Sequence, residues 1–284
     1  MKRIEQRFNT LKSNNQKAFI AYIMAGDPDL HATEELIFEL ERQGVDLIEL
    51  GVPFSDPLAD GPTIQAAGQR ALAGGTTLPK ILELVSRIRN QVGIPIILMS
   101  YFNPIYHYGA VDFFHDAKIK GVDGLIIPDL ALEESEEAAN LAKRNGIDLI
   151  FLIAPTSSLE RIKKISSVSE GFIYYVSLTG VTGARENLAD EVGKCVDKIK
   201  KFTGKPVCVG FGVSTPEQVK NILKFSDGVI VGSAIVRLIA REQGEDGMVR
   251  NVGKFVKALT DSAKGVVTGF PLEPALECCN RGRE

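Results

Sequence analysis

Glu49 is a carboxylate where carboxylates are costly. It lies in the run Leu47-Ile48-Glu49-Leu50. Alternate side chains of an extended chain point to opposite faces, so this run is apolar on both sides. A carboxyl group on a doubly buried strand is paired, shifted in pKa or functional. The structural alternative is a strand-end acid that emerges into solvent, the usual fate of charged residues. Asp60 follows in loop 53–62, which is too rich in Pro and Gly to be regular structure. Two carboxylates near one strand end suit proton shuttling. The three histidines, His31, His107 and His115, have no HxH or HExxH spacing, so no metal is predicted.

Such groups need a scaffold that points them at one place. Short apolar runs at residues 18–25, 46–51, 95–100, 124–129, 148–153, 172–177, 206–210 and 228–231 read as buried strands. Helical patterns follow them: one carrying Leu36, Ile37 and Leu40 and closing at Gly44, then about 63–73, 78–90, 111–119, 133–145, 158–165, 188–202, 215 onward and up to 242, with a last one through Leu259. Asp29, Ser158 and Thr215 are candidate N-caps, with Pro216 at the first helical position after the last of them. Ile4, Phe8 and Leu11 recur at helical spacing, which places an extra helix within residues 1–14. Eight strand–helix units without a Pro/Ser-rich linker predict a single (β/α)8 TIM barrel spanning residues 1–284, with a loosely ordered tail at 265–284. The competitor is a doubly wound sheet. Gly210-Phe211-Gly212 begins its GxGxxG signature, but Thr215 stands where the third Gly should be.

In such a barrel the active site lies at the C-terminal ends of the strands. Glu49, Asp60, Tyr101, Asn103 and Asp129 then converge on one mouth, with one of Tyr174 and Tyr175 facing inward. Gly180, Gly183, Gly210, Gly212 and Gly232 cluster after strands six, seven and eight. Glycine lets backbone N–H groups approach an anion closely, and Gly232-Ser233 opens a helix whose N-terminus favours negative charge. The residues alone therefore predict a metal-independent barrel enzyme for a phosphorylated substrate.

A net charge of −3 gives no electrostatic case for nucleic acid or an anionic membrane. No apolar run reaches the roughly 20 residues of a membrane helix, and no signal core follows Met1. Cys195, Cys208, Cys278 and Cys279 form no CxxC, which predicts a reducing, cytoplasmic setting.

The motifs go further. Ala25-Gly26-Asp27-Pro28, the run from Leu50 through Asp60 to Gln65 (LGVPFSDPLADGPTIQ), Tyr101-Phe102-Asn103-Pro104, Ile127-Pro128-Asp129-Leu130, Gly180-Val181-Thr182-Gly183-Ala184-Arg185 and Gly210-Phe211-Gly212-Val213 together make the chain resemble the tryptophan synthase alpha-chain family over nearly its whole length. The resemblance implies retro-aldol cleavage of indole-3-glycerol phosphate to indole and D-glyceraldehyde 3-phosphate. It implies Glu49 as general acid/base, Asp60 as acceptor of the indole N–H, and Tyr174 as the active-site tyrosine. Gly183, Phe211, Gly212, Gly232 and Ser233 match the phosphate site, and Tyr22, Met99, Tyr101, Ile153 and Thr182 the substrate pocket. It further implies a beta-chain partner in an α2β2 assembly. That partner carries the pyridoxal phosphate, so no cofactor is assigned to this chain. Loop 53–62 and Asn103-Pro104 resemble the docking surface, and loop 178–187 a lid whose Thr182 meets Asp60. Ala131 stands where the family usually has Pro. The rival readings are a non-catalytic activator of a beta chain, a stand-alone indole-releasing lyase, and an isomerase on a similar phosphate-binding barrel. Intact Glu49 and Asp60 argue against the first, the docking loop against the second, and the motif around Asp60 against the third.

Overall fold

The computed structural model describes residues 1–177, 185–210 and 212–265. Helix α1 (Arg3–Ser13) comes first. Strands β1 (Ala18–Met24), β2 (Leu47–Gly51), β3 (Ile96–Met99) and β4 (Gly124–Ile126) follow, with α2 (Leu30–Arg42), α3 (Pro62–Ala73), α4 (Leu78–Ile88), α5 (Phe102–Tyr108) and α6 (Ala110–Lys120) interleaved. The second half holds α7 (Glu136–Asn145), β5 (Asp148–Ile150), β6 (Leu152–Ile153), α8 (Leu159–Val168), β7 (Ile173–Val176), α9 (Arg185–Lys200), β8 (Val207–Gly210), α10 (Pro216–Leu223), β9 (Gly228–Val231), α11 (Ser233–Glu242) and α12 (Met248–Ala263). All strand pairings are parallel, in the order β5-β4-β3-β2-β1-β9-β8-β7-β6. Because β5 and β6 adjoin in sequence, the two ends of that order meet and the sheet curls into a barrel of eight staves.

Parity sorts the side chains into two apolar layers. Ile48, Leu50 and Ile96 face outward and pack under the helices with residues such as Leu36, Ile81 and Phe113. Ile20, Leu47, Ile97, Ile126, Ile150 and Phe172 fill the interior. Ile4, Phe8 and Leu11 of α1 join that interior group and close the N-terminal end. Ion pairs hold α1 there: Lys2 with Asp148 at 2.7 Å, Arg7 with Asp46 at 2.5 Å, and Arg3 with Asp123. Asp46 and Asp123 also accept the backbone N–H groups of Phe19 and Ile96, so each carboxylate ties α1 to a neighbouring strand.

The N-caps fall where the sequence places them. Asp29 accepts the Ala32 N–H, Ser158 accepts that of Arg161, and Thr215 forms a reciprocal capping box with Gln218. Three elements differ. The fifth strand is broken at Phe151, where the Ser169 hydroxyl accepts the Phe151 N–H and donates to the Phe172 carbonyl, in place of a ladder bond. The fourth strand stops at Ile126, because Pro128 offers no N–H to continue a ladder. The helix expected over 133–145 is a 3-10 turn, Leu132–Glu134, and then α7, with the Ser135 hydroxyl donating to the Leu132 carbonyl. Helix α5 has no counterpart in the sequence reading. Its Pro104 sits in the first turn, where no N–H is needed.

Candidate active site

The parity that made Glu49 unusual puts it inside the barrel. It lies beside Tyr22 of β1 and Ile97 of β3 in the strand register, 0% exposed. Among the described residues neither carboxylate oxygen has a hydrogen-bond partner. Burial without compensation penalises the charged form and raises the pKa to about 8. The group is therefore mostly protonated at neutral pH, which suits an acid that must give up a proton and take one back.

Asp60 stands in the loop between β2 and α3, half-buried. Burial lifts its pKa to about 6, against the pull of a hydrogen bond from Tyr101 that favours the ionised form. At neutral pH it is still mainly a carboxylate, so the two acids differ in protonation state. The Gln65 amide donates to the Asp60 carbonyl at 2.8 Å. A few residues further along α3, Arg70 grips Asp27 in the loop after β1.

Tyr22 and Tyr174 also face the interior, and burial pushes both phenols well above the usual tyrosine range, so both stay neutral. Each occupies room left by a glycine. A Cβ on Gly51 would overlap the Tyr22 hydroxyl, and one on Gly210 would come within 2.6 Å of the Tyr174 ring. A Cβ on Gly232 would lie 3.1 Å from Tyr22 Cβ, so Tyr22 spans from the Glu49 strand to the start of α11. The sequence shows these glycines; that they shape two tyrosine seats is visible only when the register is known. Tyr175 faces the helices instead.

At the other side of the mouth, Gly232 is the N-cap of α11 and Ser233 its first residue, both half-buried. Amide N–H groups at such a terminus are unpaired within the helix and favour an anion. Gly212 is exposed with φ +26, a conformation that favours glycine.

Met99 packs against both the barrel interior and the Tyr22 group. Ile153 is turned the other way. It pairs in register with outward-facing Tyr175 and belongs to the layer under the helices, while Leu152, paired with Tyr174, faces inward. The alternation runs unbroken through Phe151: Leu149, Phe151 and Ile153 face the helices, and Ile150 and Leu152 the interior. Asp129 is exposed and accepts the Phe102 N–H at 2.9 Å, satisfying an orphan donor of α5. Ala131 has φ −65 and ψ 145, the backbone a Pro would impose, so its departure from the family pattern costs no geometry. Thr182, Gly183 and Phe211 lie outside the described residues, as do Gly180, residues 178–184 of the expected lid, and Cys278 and Cys279. Residues 185–187 belong to α9.

The parallel barrel and the placement of its acidic mouth put the chain among the (β/α)8-barrel enzymes. A family model described as tryptophan synthase alpha chain matches residues 8–264. The tryptophan synthase alpha chain of Geotalea uraniireducens is 52% identical over 94% of this chain and 99% of its own length, and that of Citrifermentans bemidjiense 51% over 95% and 99%. Among solved structures, tryptophan synthase subunit alpha from Legionella pneumophila superposes with a TM-score of 0.86 at 36% identity, covering 93% of this chain and 98% of that one. A chain of Mycobacterium tuberculosis tryptophan synthase in an aminoacrylate- and BRD0059-bound form gives 0.83 at 33% identity, over 93% and 98%. The chain belongs to the tryptophan synthase alpha chain family.

Proposed function

We propose that this chain, acting as a single barrel, cleaves indole-3-glycerol phosphate to indole and D-glyceraldehyde 3-phosphate and passes indole to a beta chain in an α2β2 assembly. The observation that carries this reading is the Glu49 carboxyl group, fully buried and, among the described residues, unpartnered at the barrel mouth. Indole leaves only once C3 is protonated. Glu49 in its acid form supplies that proton, and positive charge develops on the ring nitrogen. Asp60, ionised, accepts the N–H and stabilises that charge. The carboxylate left on Glu49 takes the proton from the side-chain hydroxyl as the C3–carbon bond breaks. The bond's electron pair returns to the indole ring and the hydroxyl carbon becomes the aldehyde. One proton enters and one leaves, so Glu49 ends as it began.

Gly212, Gly232 and Ser233 hold the phosphate, joined by Gly183 and Phe211 on family likeness. Tyr22, Tyr174 and Met99 frame the ring and its side chain, with Tyr101 and Thr182 at the loops. The beta chain docks on loop 53–62, where Leu58 is 92% exposed, and on the segment of Asn103 and Pro104. Pyridoxal phosphate chemistry belongs to that beta chain. The setting is cytoplasmic, in keeping with a biosynthetic enzyme in which no described helix is long and apolar enough to cross a membrane.

The test is product analysis. The purified chain, given indole-3-glycerol phosphate, releases indole and glyceraldehyde 3-phosphate in equal amounts, and a tryptophan synthase beta chain raises the rate. No cleavage under either condition, with the beta reaction still accelerated, would contradict this reading and leave a regulatory subunit.

A further inference from the structure

Tyr101 makes more contacts with the Asp60 loop than a pocket-lining residue needs. It follows β3 and is 4% exposed. Its hydroxyl accepts the N–H of Ala59, the neighbour of Asp60, at 2.8 Å, and it lies near enough to favour the ionised Asp60 carboxylate. Its ring packs on Phe54, with centroids 5.4 Å apart. Three residues of one loop thus converge on one side chain rooted in the barrel. The loop's outermost residue is Leu58, next to Ala59 and almost wholly exposed.

We propose that Tyr101 is the positioning residue that fixes the Asp60 carboxylate in the mouth and couples its placement to whatever covers Leu58, here the beta chain. This rests on the proposed function above. A phenol hydroxyl has one proton to donate, and with a lone pair receiving the Ala59 amide that proton is left for the Asp60 carboxylate. A partner pressing on Leu58 moves the Ala59 N–H, and the tyrosine relays that movement to Asp60. The bond also favours ionised Asp60, the form that receives the indole N–H.

The experiment is Tyr101→Phe in the full chain, assayed for indole release across pH with and without the beta chain. Phe keeps the ring on Phe54 and removes only the hydroxyl. The expected result is a fall in kcat of tenfold or more with KM changed less than threefold. The acid limb of kcat/KM moves up in pH, because Asp60 loses its donor, while the alkaline limb stays in place. The fold-activation by the beta chain shrinks, although the Kd for that chain is unchanged. Ala59→Pro, which deletes the amide donor and leaves Tyr101 intact, also lowers the activation. An unshifted acid limb together with wild-type activation in Tyr101→Phe would overturn the proposal while the unsubstituted chain still cleaves substrate. Absence of cleavage by the unsubstituted chain would overturn the functional reading itself, and this inference with it.

Discussion

Arg70 Nε lies 2.7 Å from Asp27 Oδ1, and Arg70 Nη2 lies 2.8 Å from Asp27 Oδ2. This two-pronged pair joins α3 to the loop after β1. Asp27 is 1% exposed, and the arginine is the ion-pair partner of this buried carboxylate. Because α3 begins just after Asp60, the pair also fixes where the catalytic loop ends.

Arg70→Lys keeps the charge and loses the planar fork. A buried carboxylate left with one weaker partner costs stability, and partial exposure of Arg70 moderates the loss to about 1–3 kcal/mol. Urea unfolding measures that loss. Indole release falls as well, through a lower kcat, because α3 no longer holds the Asp60 loop at one register.

Glu49 works at a cost to the fold. Its pKa rises from 4.5 in the unfolded chain to about 8 in the native protein. The native state therefore binds the extra proton, and stability falls as pH rises from the lower value to the higher. Glu49→Gln removes that dependence. At pH 5 the variant and the wild type unfold at similar denaturant concentrations. At pH 8.5 the variant is the more stable, by up to about 5 kcal/mol. Parallel urea curves at the two pH values measure the difference; a gap that does not widen with pH contradicts the uncompensated burial of Glu49.

The opposite end of the barrel carries stability. Phe8 of α1 fills the floor and meets the Phe172 ring at 5.8 Å. Phe8→Ala leaves a cavity there and costs about 3–5 kcal/mol. The mouth is untouched, so kcat and KM of the folded fraction at 15 °C stay within twofold of wild type. Thermal melting and steady-state assays separate the two effects.

The strands and most helices were legible because each is a short apolar run closed by Gly, Pro or a capping side chain. Glu49 was legible as a charge that broke an apolar alternation. Three things were not. The break at Phe151 depends on Ser169, which lies in another stretch of chain, while Ile153 keeps the parity of Leu149 and Phe151 and faces the helices. Asp129 looked like a site residue because strand ends aim at the mouth; that its carboxylate caps α5 at the Phe102 N–H is a contact between separate segments that only the fold reveals. Gly51 read as the end of a strand and Gly210 as part of an anion-binding glycine cluster, yet they seat Tyr22 and Tyr174, which only the inter-strand register reveals. Local patterns show what a segment is, whereas long-range contacts decide which way its side chains face.

The most direct test of the central claim compares indole release from indole-3-glycerol phosphate by the wild-type chain and by Glu49→Gln. Both are assayed with saturating beta chain and matched for folding by circular dichroism. The amide keeps the shape and cannot carry the proton. The account predicts a fall in kcat of at least a thousandfold with substrate affinity retained. Activity within tenfold of wild type would show that another group moves the proton and would contradict the role given to Glu49.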